Sequence, residues 1–139
     1  MSIVRLEQVS KDYITEGARV PALRDVNLQF GHGEFVALIG RSGCGKSTLL
    51  NLAGAMDFPT AGTVSLDGVI TSSLGDSGLT KLRREKIGFI FQAFQLLPTL
   101  SVAENVELPL MLAGSPDIRK TALERLSWVE MDSLADRMP

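Results

Sequence analysis

The apolar positions of this chain form two kinds of pattern, one typical of strands and one typical of helices. Residues 3–9 predict a strand, and the alternation of apolar and polar positions over residues 26–30 predicts a half-buried antiparallel strand. Residues 35–39 are all apolar and residues 87–91 nearly so, which predicts two buried strands of a parallel sheet. Residues 63–66 predict a further short strand. The pattern therefore predicts an α/β fold in which a small antiparallel β layer accompanies a parallel core.

Capping residues and helical spacing predict helices in the second half of the chain. Residues 80–86 predict a short basic helix. Ser101 and Glu104 form an S-x-x-E capping box, which predicts a helix over residues 102–114 that Pro109 should kink or interrupt.

A last amphipathic helix is predicted after that one. Ser115 is expected to be its N-cap and Pro116 its first residue, because proline suits the first helical position. One face of this helix is apolar and carries Ile118, Ala122, Leu123 and Leu126.

A glycine-rich motif follows residues 35–39 directly. It has the form G-x-x-x-x-G-K-S, and residues 47–53 after it predict a helix. Glycines let the backbone wrap around a phosphate with its N–H groups inward, and the N-terminus of the helix adds partial positive charge. The motif therefore predicts a site for a nucleoside triphosphate, formed by Gly40, Arg41, Ser42, Gly43, Cys44, Gly45, Lys46, Ser47 and Thr48.

Three side chains of this motif have predicted roles. Lys46 supplies a full positive charge for the β- and γ-phosphates, and Ser47 is placed to offer its hydroxyl to Mg²⁺. Thr48 is expected to reach the α-phosphate. The alternative interpretation is a glycine turn between a core strand and a core helix.

Composition and charge narrow the classes of function. The chain has 139 residues and a formal net charge of −2, so it has no basic field for holding DNA or RNA. Its first residues lack the pattern of a signal peptide, and its apolar stretches are far shorter than a bilayer span, so we expect a cytoplasmic protein. With one cysteine it forms no intrachain disulfide and no multi-cysteine metal cluster.

Three segments together resemble the ATP-binding subunit of ABC transporters. They are residues 40–48, residues 87–92 and residues 94–106. Within that family, the sequence of residues 83–109 is most similar to the lipoprotein-releasing and macrolide-exporter group. The resemblance implies a P-loop NTPase core, with ATP and Mg²⁺ as ligands. It also implies two partners, a membrane permease and a second ATPase subunit, and a position at the cytoplasmic side of the inner membrane. Residues 96–106 are the candidate contact with the permease, and the alternative interpretation is ordinary core packing of Leu97 and Leu100.

The resemblance assigns roles to two residues outside the motif. Gln92 matches the Q-loop glutamine of the family, which contacts Mg²⁺ and the attacking water, and so joins Lys46 as an expected catalytic residue. The alternative interpretation of Gln92 is a polar residue that closes a strand. Tyr13 matches an aromatic residue that stacks on adenine, whereas the alternative is a tyrosine that only packs.

Three further elements of the family are not found in these 139 residues: the L-S-G-G-Q signature, the acidic end of a later strand and the switch histidine. We therefore expect a truncated, N-terminal half of such an ATPase, with residues 1–92 as the nucleotide-binding core and residues 93–139 as the Q-loop and the start of a helical subdomain. Weak or no turnover is expected from this chain alone.

Two functions stay open at this point. One is an ATP-hydrolysing subunit that powers export through a separate permease. The other is a non-hydrolysing nucleotide-binding fragment or regulatory module.

Overall fold

A computed structural model describes residues 2–139, which form two compact units. The first unit ends at Phe89 and contains a sheet and two α-helices, and the second, Ile90–Pro139, contains two further α-helices. The prediction of an α/β chain is confirmed at this level.

The sheet described in the first unit has four strands, all antiparallel, in the order β2-β1-β3-β4. Their bounds are Ser2–Thr15 for β1, Ala18–Gly31 for β2, Ala61–Leu66 for β3 and Val69–Ile70 for β4. Glu16 and Gly17 join β1 to β2, and both have positive φ (51° and 79°), as a two-residue hairpin turn requires. The antiparallel strand predicted over residues 26–30 is confirmed as the end of β2.

The core of the first unit lies between this sheet and helix α1, Lys46–Ala53. Its buried side chains come from β1, β2, β3 and α1, and are Leu6, Val9, Leu23, Leu49, Leu52 and Val64. Because Leu49 and Leu52 lie three residues apart, they share one face of the helix. The packing of that face fixes α1 on the sheet, and with it the glycine-rich loop that leads into the helix.

Helix α2, Asp76–Lys86, begins four residues before its predicted start. Residues 71–79 are rich in Ser, Gly and Asp, which are common in turns and loops. Asp76 instead lies in the first turn of the helix, where a carboxylate is favoured by the helix dipole. Leu79 is buried in a second cluster with Ala55 and Leu66, so packing extends the helix toward its N-terminus.

The two predicted parallel strands are not among the strands of the described structure, so the parallel core stays a prediction. Residues 35–39 and 87–91 are assigned to no strand, and Phe35 and Ile39 are 97% and 93% exposed. A strand is stable only when a neighbour pairs with its backbone, and the sheet described within residues 2–139 consists of β1–β4. The apolar runs indicate buried positions, but they do not specify a pairing partner.

The second unit is built on helices α3, Val102–Leu112, and α4, Ile118–Ser127. The predicted capping box is confirmed, because the Ser101 hydroxyl accepts from Glu104 N at 3.3 Å and the Glu104 carboxylate accepts from Ser101 N at 2.7 Å. α3 continues through Pro109, so the expected interruption does not occur. Ala113 N donates to the carbonyl of Pro109 at 3.0 Å, which shows that the ladder resumes beyond the proline.

The predicted start of α4 is wrong by two residues. Its N-cap is Asp117, whose φ is 52°, and not Ser115. Ser115 N donates to Leu110 O at 3.0 Å and Gly114 N to Met111 O at 3.0 Å, with Gly114 at a φ of 66°. These two bonds form the Schellman ending of α3, so Ser115 closes the earlier helix and does not open the next one.

The capping box gives this unit a dependence on pH. A hydrogen bond from Ser101 N, helped by the Ser101 side chain, lowers the pKa of Glu104 below its ordinary value of 4.5. A carboxyl group whose pKa is lowered by folding stabilises the protein above its unfolded pKa, and this contribution is lost as the pH falls through the folded pKa. Urea denaturation measures the difference in unfolding free energy between wild type and Glu104→Gln. We expect this difference to be largest above pH 4.5 and to become smaller in more acid solution.

Glu124→Gln is the matched control for this experiment. It makes the same chemical change on an exposed position of α4. A stability difference of the same size and pH dependence in both variants would contradict the assignment to the capping box.

Within residues 2–139, no helix combines the length and the apolar character needed to cross a bilayer.

Candidate functional site

A cavity of about 460 Å³ opens on the first unit, beside the glycine-rich loop. This volume lies in the range of small-molecule binding sites. The cavity is lined by Tyr13, Val20, Pro21, Ala22, Ser42, Gly43, Gly45, Lys46, Ser47 and Thr48. The structure therefore brings Tyr13 together with six of the nine predicted motif residues.

Two glycines set the path of the loop. Gly43 and Gly45 have φ of 77° and 89°, a region that side chains other than glycine rarely adopt. A Cβ at Gly45 would lie 2.6 Å from Ala22 O and 2.9 Å from Leu23 Cδ2, whereas a Cβ at Gly43 would meet open space. Gly45 therefore allows the loop to lie directly against β2, which supplies the opposite part of the cavity wall.

The N-terminus of α1 forms part of the cavity. Its first intrahelical bond runs from Leu49 N to Gly45 O at 2.8 Å, so the N–H groups of Lys46, Ser47 and Thr48 precede the helical ladder. Such N–H groups have no partner within the helix and carry the positive end of its dipole. This wall of the cavity is suited to an anion.

Lys46 adds a full charge to the same wall. Its Nζ donates to Gly40 O and to Arg41 O, each at 2.8 Å, and lies 3.7 Å from Cys44 Sγ. The ammonium group is thus held across the loop by two backbone carbonyls. These contacts place a positive charge beside the N–H groups that open α1.

The three other motif residues do not line the cavity. Gly40 and Arg41 contribute the carbonyls that bind Lys46, and Cys44 N donates to Arg41 O at 3.4 Å. A Cβ at Gly40 would lie 2.7 Å from Cys44 Sγ, so these two residues pack on each other. In this structure they shape the loop, and their predicted contact with a nucleotide stays a prediction.

Tyr13 lies on β1 and lines the cavity, and the residue is 37% exposed. Its hydroxyl donates to Asp57 Oδ2 at 3.2 Å, and Lys11 Nζ lies 5.0 Å from the centre of the ring. The tyrosine is therefore neither a core residue nor a freely moving surface residue. Its stacking on a base stays a prediction.

Gln92 lies in the second unit, in an exposed and irregular segment. The strand that it was expected to end is not among the strands of the described structure. Its predicted contact with Mg²⁺ and water stays a prediction from family resemblance.

Sequence reasoning missed three residues of the cavity wall, namely Val20, Pro21 and Ala22 of β2. These residues carry no motif, and they reach the site only because β2 pairs with β1 along the hairpin, with Pro21 opposite Asp12 and Val20 opposite Tyr13. The sequence pattern did not predict that β2 pairs with β1 along this part of the chain.

The lining fits a nucleoside triphosphate with Mg²⁺. Backbone N–H groups and the Lys46 ammonium would hold phosphate oxygens, and the Ser47 hydroxyl is a hard oxygen ligand of the kind that Mg²⁺ prefers. Tyr13 offers an aromatic surface of the kind on which nucleobases stack.

Comparisons with known proteins identify the family of this chain. A protein-family model described as ABC transporter matches residues 23–139. The ABC transporter ATP-binding protein MJ0796 of Methanocaldococcus jannaschii is 45% identical over 135 residues, which cover 94% of this chain and 57% of that protein. The macrolide export ATP-binding/permease protein MacB 2 of Yersinia pestis bv. Antiqua is 44% identical over 139 residues, covering 99% of this chain and 20% of that protein.

The fold is similar to that of a solved ATP-binding cassette. A dimeric structure of MJ0796 in a post-hydrolysis state, bound to ADP and Pi, matches with a TM-score of 0.89 at 45% identity and covers 98% of this chain and 61% of that one. This chain thus spans little more than half of MJ0796 and a fifth of MacB 2. The family predicted from the sequence is confirmed, and the chain belongs to the ABC transporter family of ATP-binding proteins.

Proposed function

We propose that this chain binds ATP with Mg²⁺ in the cavity beside the glycine-rich loop, and that the full-length protein uses ATP hydrolysis to power export through an ABC transporter. One observation carries the proposal. The Lys46 ammonium, the Ser47 hydroxyl, the N-terminus of α1 and the Tyr13 ring all line one cavity of about 460 Å³.

Each group of the cavity has a role in this proposal. Lys46 turns from the carbonyls of Gly40 and Arg41 to the β- and γ-phosphates, because phosphate oxygens carry more negative charge than a carbonyl. Ser47 holds the magnesium ion and Thr48 the α-phosphate. Bound Mg²⁺ supplies positive charge that neutralises the phosphates. Gln92 is proposed to contribute to the metal and water site in the assembled protein.

We also propose the partners and the parallel core that family membership implies. Residues 35–39 and 87–91 are proposed to become parallel strands in the full-length protein, where further strands pair with them. MJ0796 has been solved as a dimer and MacB 2 is an ATP-binding/permease protein, which supports a second ATPase subunit and a permease as partners. The site then lies on the cytoplasmic side of the inner membrane.

A non-hydrolysing nucleotide-binding module is the second candidate for the 139-residue chain. The described lining supplies an ammonium, hydroxyls and backbone N–H groups, which bind phosphates. Hydrolysis additionally needs a group that orients or activates water, a role that a carboxylate commonly fills. Release of phosphate from Mg-ATP, compared between wild type and a variant lacking the Lys46 ammonium, separates the two candidates.

Titration calorimetry tests the binding step itself. We expect the 139-residue chain to bind ATP in the presence of Mg²⁺ and to bind it roughly tenfold more weakly in EDTA, a difference of about 1.4 kcal/mol. Adenosine, which lacks the phosphates, should bind far more weakly than either. Folded protein that gives no heat with Mg-ATP would exclude the proposed site.

A further inference from the structure

The ring of Tyr13 is held by a network of side chains outside the glycine-rich motif. Asp57, in the segment between α1 and β3, uses its two carboxylate oxygens differently: Oδ2 accepts from the Tyr13 hydroxyl at 3.2 Å and Oδ1 from Lys11 Nζ at 2.7 Å. Oδ1 also accepts from Phe58 N at 2.7 Å, which fixes the carboxylate on its own backbone. The Tyr13 hydroxyl is therefore hydrogen-bonded to a carboxylate that is itself held by the backbone.

Lys11 completes the network from the other side. Its Nζ donates to Phe58 O at 2.8 Å as well as to Asp57, and it lies 5.0 Å from the centre of the Tyr13 ring. The ammonium therefore covers one face of the ring, where a cation is attracted to the π-electrons. The remaining exposed surface of the ring lines the cavity.

The segment that carries Asp57 is itself bound to β1. Thr60 N donates to Ser10 O at 2.8 Å, and Asp12 N donates to Thr60 Oγ1 at 3.0 Å. The same segment follows α1, whose first residue is Lys46. Hydrogen bonds to β1 and the chain that follows α1 therefore connect the ring of Tyr13 with the phosphate end of the cavity.

The ion pair between Lys11 and Asp57 is largely buried. The Lys11 and Asp57 side chains are only 13% and 27% exposed. Burial raises the pKa of Asp57, but the bonds from Lys11 and from Phe58 N lower it more, so that it lies below its ordinary value of 3.8. Asp57 is consequently ionised at neutral pH and remains an acceptor for the tyrosine hydroxyl.

We propose that Lys11 and Asp57 are positioning residues for base recognition, which hold the Tyr13 ring in place before a nucleotide binds. The inference rests on the proposed function and adds the base-binding half of the site to it. A ring that is already ordered loses no rotational freedom when a base stacks on it, so the network favours binding of the base. We expect phosphate binding not to require the network, since neither Lys11 nor Asp57 lines the cavity.

Two ligands separate the two halves of the site. We expect Asp57→Asn and Tyr13→Phe each to weaken Mg-ATP about three- to tenfold, the size of one ordered side chain, and to leave Mg-tripolyphosphate within about twofold. The double variant should bind Mg-ATP about as tightly as the weaker-binding of the two single variants, because both changes act on the same contact between Tyr13 and residue 57.

Asp67→Asn is the matched control for these variants. It also breaks a pair between an aspartate and a lysine, the bond from Lys86 Nζ to Asp67 Oδ2 at 2.8 Å, but at an exposed place. We expect it to leave both affinities unchanged. Tyr13→Phe removes only a hydroxyl, and from an exposed residue, so we expect this variant to fold. It can therefore test the inference even if Asp57→Asn lowers the yield of folded protein.

A spectroscopic measurement reports on the ring directly. Tyr13 is the one tyrosine of the chain, so incorporation of 3-fluorotyrosine gives a single ¹⁹F resonance. We expect this resonance to shift with Mg-ATP but not with Mg-tripolyphosphate, and its offset from the denatured position to shrink in Asp57→Asn before any ligand is added.

The outcomes distinguish this inference from the function on which it rests. Variants that bind Mg-ATP as wild type does, or that lose both ligands in parallel, would overturn the positioning role. The proposed function would still stand as long as wild-type protein binds both ligands. Wild-type protein that binds neither ligand would overturn the proposed function and the positioning role together.

Discussion

Lys46→Met is expected to weaken the binding of Mg-ATP at least roughly 100-fold, the largest effect on binding of any single change in this chain. A hydrogen-bonded charge contributes about 1.5–3 kcal/mol, and Coulomb attraction to the phosphates adds to it, so a loss of about 3 kcal/mol corresponds to this factor. Methionine keeps an unbranched stem and a high helix propensity at the first residue of α1. Calorimetry with Mg-ATP measures the effect.

Lys81→Met is the control for the loss of one positive charge. Lys81 is exposed on α2, and its replacement changes the net charge by the same amount. We expect this variant to bind Mg-ATP within about twofold of wild type, because a charge at the surface is screened by salt beyond about 10 Å. Equal losses in the two variants would show that a general field, and not the Lys46 ammonium, attracts the phosphates.

The parts of this fold that the sequence predicts are those with a local physical cause. The capping box depends on Ser101 and Glu104, three residues apart, and it forms as expected. The glycine-rich loop and α1 likewise depend on a short run of residues with defined backbone requirements. Such features are encoded by neighbours in the sequence, so a pattern is sufficient to identify them.

Where the structure differs from the predictions, the outcome depends on a choice that local sequence does not make. Ser115 is an acceptable N-cap, yet the ending of α3 uses its backbone N–H, and α4 begins later. Residues 35–39 are apolar enough for a buried strand, but strand formation depends on pairing with a distant segment. Competition between adjacent elements and long-range pairing therefore set the limits of prediction here.

The candidate site also has one part that local sequence predicts and another that depends on long-range contacts. Its proposed phosphate end was predicted from nine consecutive residues. Its proposed base end depends on contacts of Tyr13 with Asp57 across 44 positions and of Lys11 with Asp57 across 46. No periodicity or spacing relates residues so far apart. Only the fold, which brings the segment after α1 onto β1, shows that an ion pair supports the tyrosine.

Gly45→Ala is expected to lower the free energy of unfolding by about 3 kcal/mol, the sum of two costs. A residue other than glycine in the left-handed region costs about 1–2 kcal/mol, and forcing a methyl group into a packed position costs about 1–3 kcal/mol. Both apply here, because Gly45 has a φ of 89° and its Cβ would lie 2.6 Å from Ala22 O. Urea denaturation measures the loss, and the strain should also weaken Mg-ATP binding since Ala22 and Gly45 share the cavity wall.

Gly43→Ala separates the two costs within the same loop. Gly43 also has a positive φ, 77°, but a Cβ there meets nothing within 4 Å. This variant should therefore show only the conformational cost, about 1–2 kcal/mol. If both alanine variants lose the same stability, the close approach of the loop to β2 does not contribute. If Gly45→Ala loses clearly more, contact with the Ala22 carbonyl is the reason that this position requires glycine.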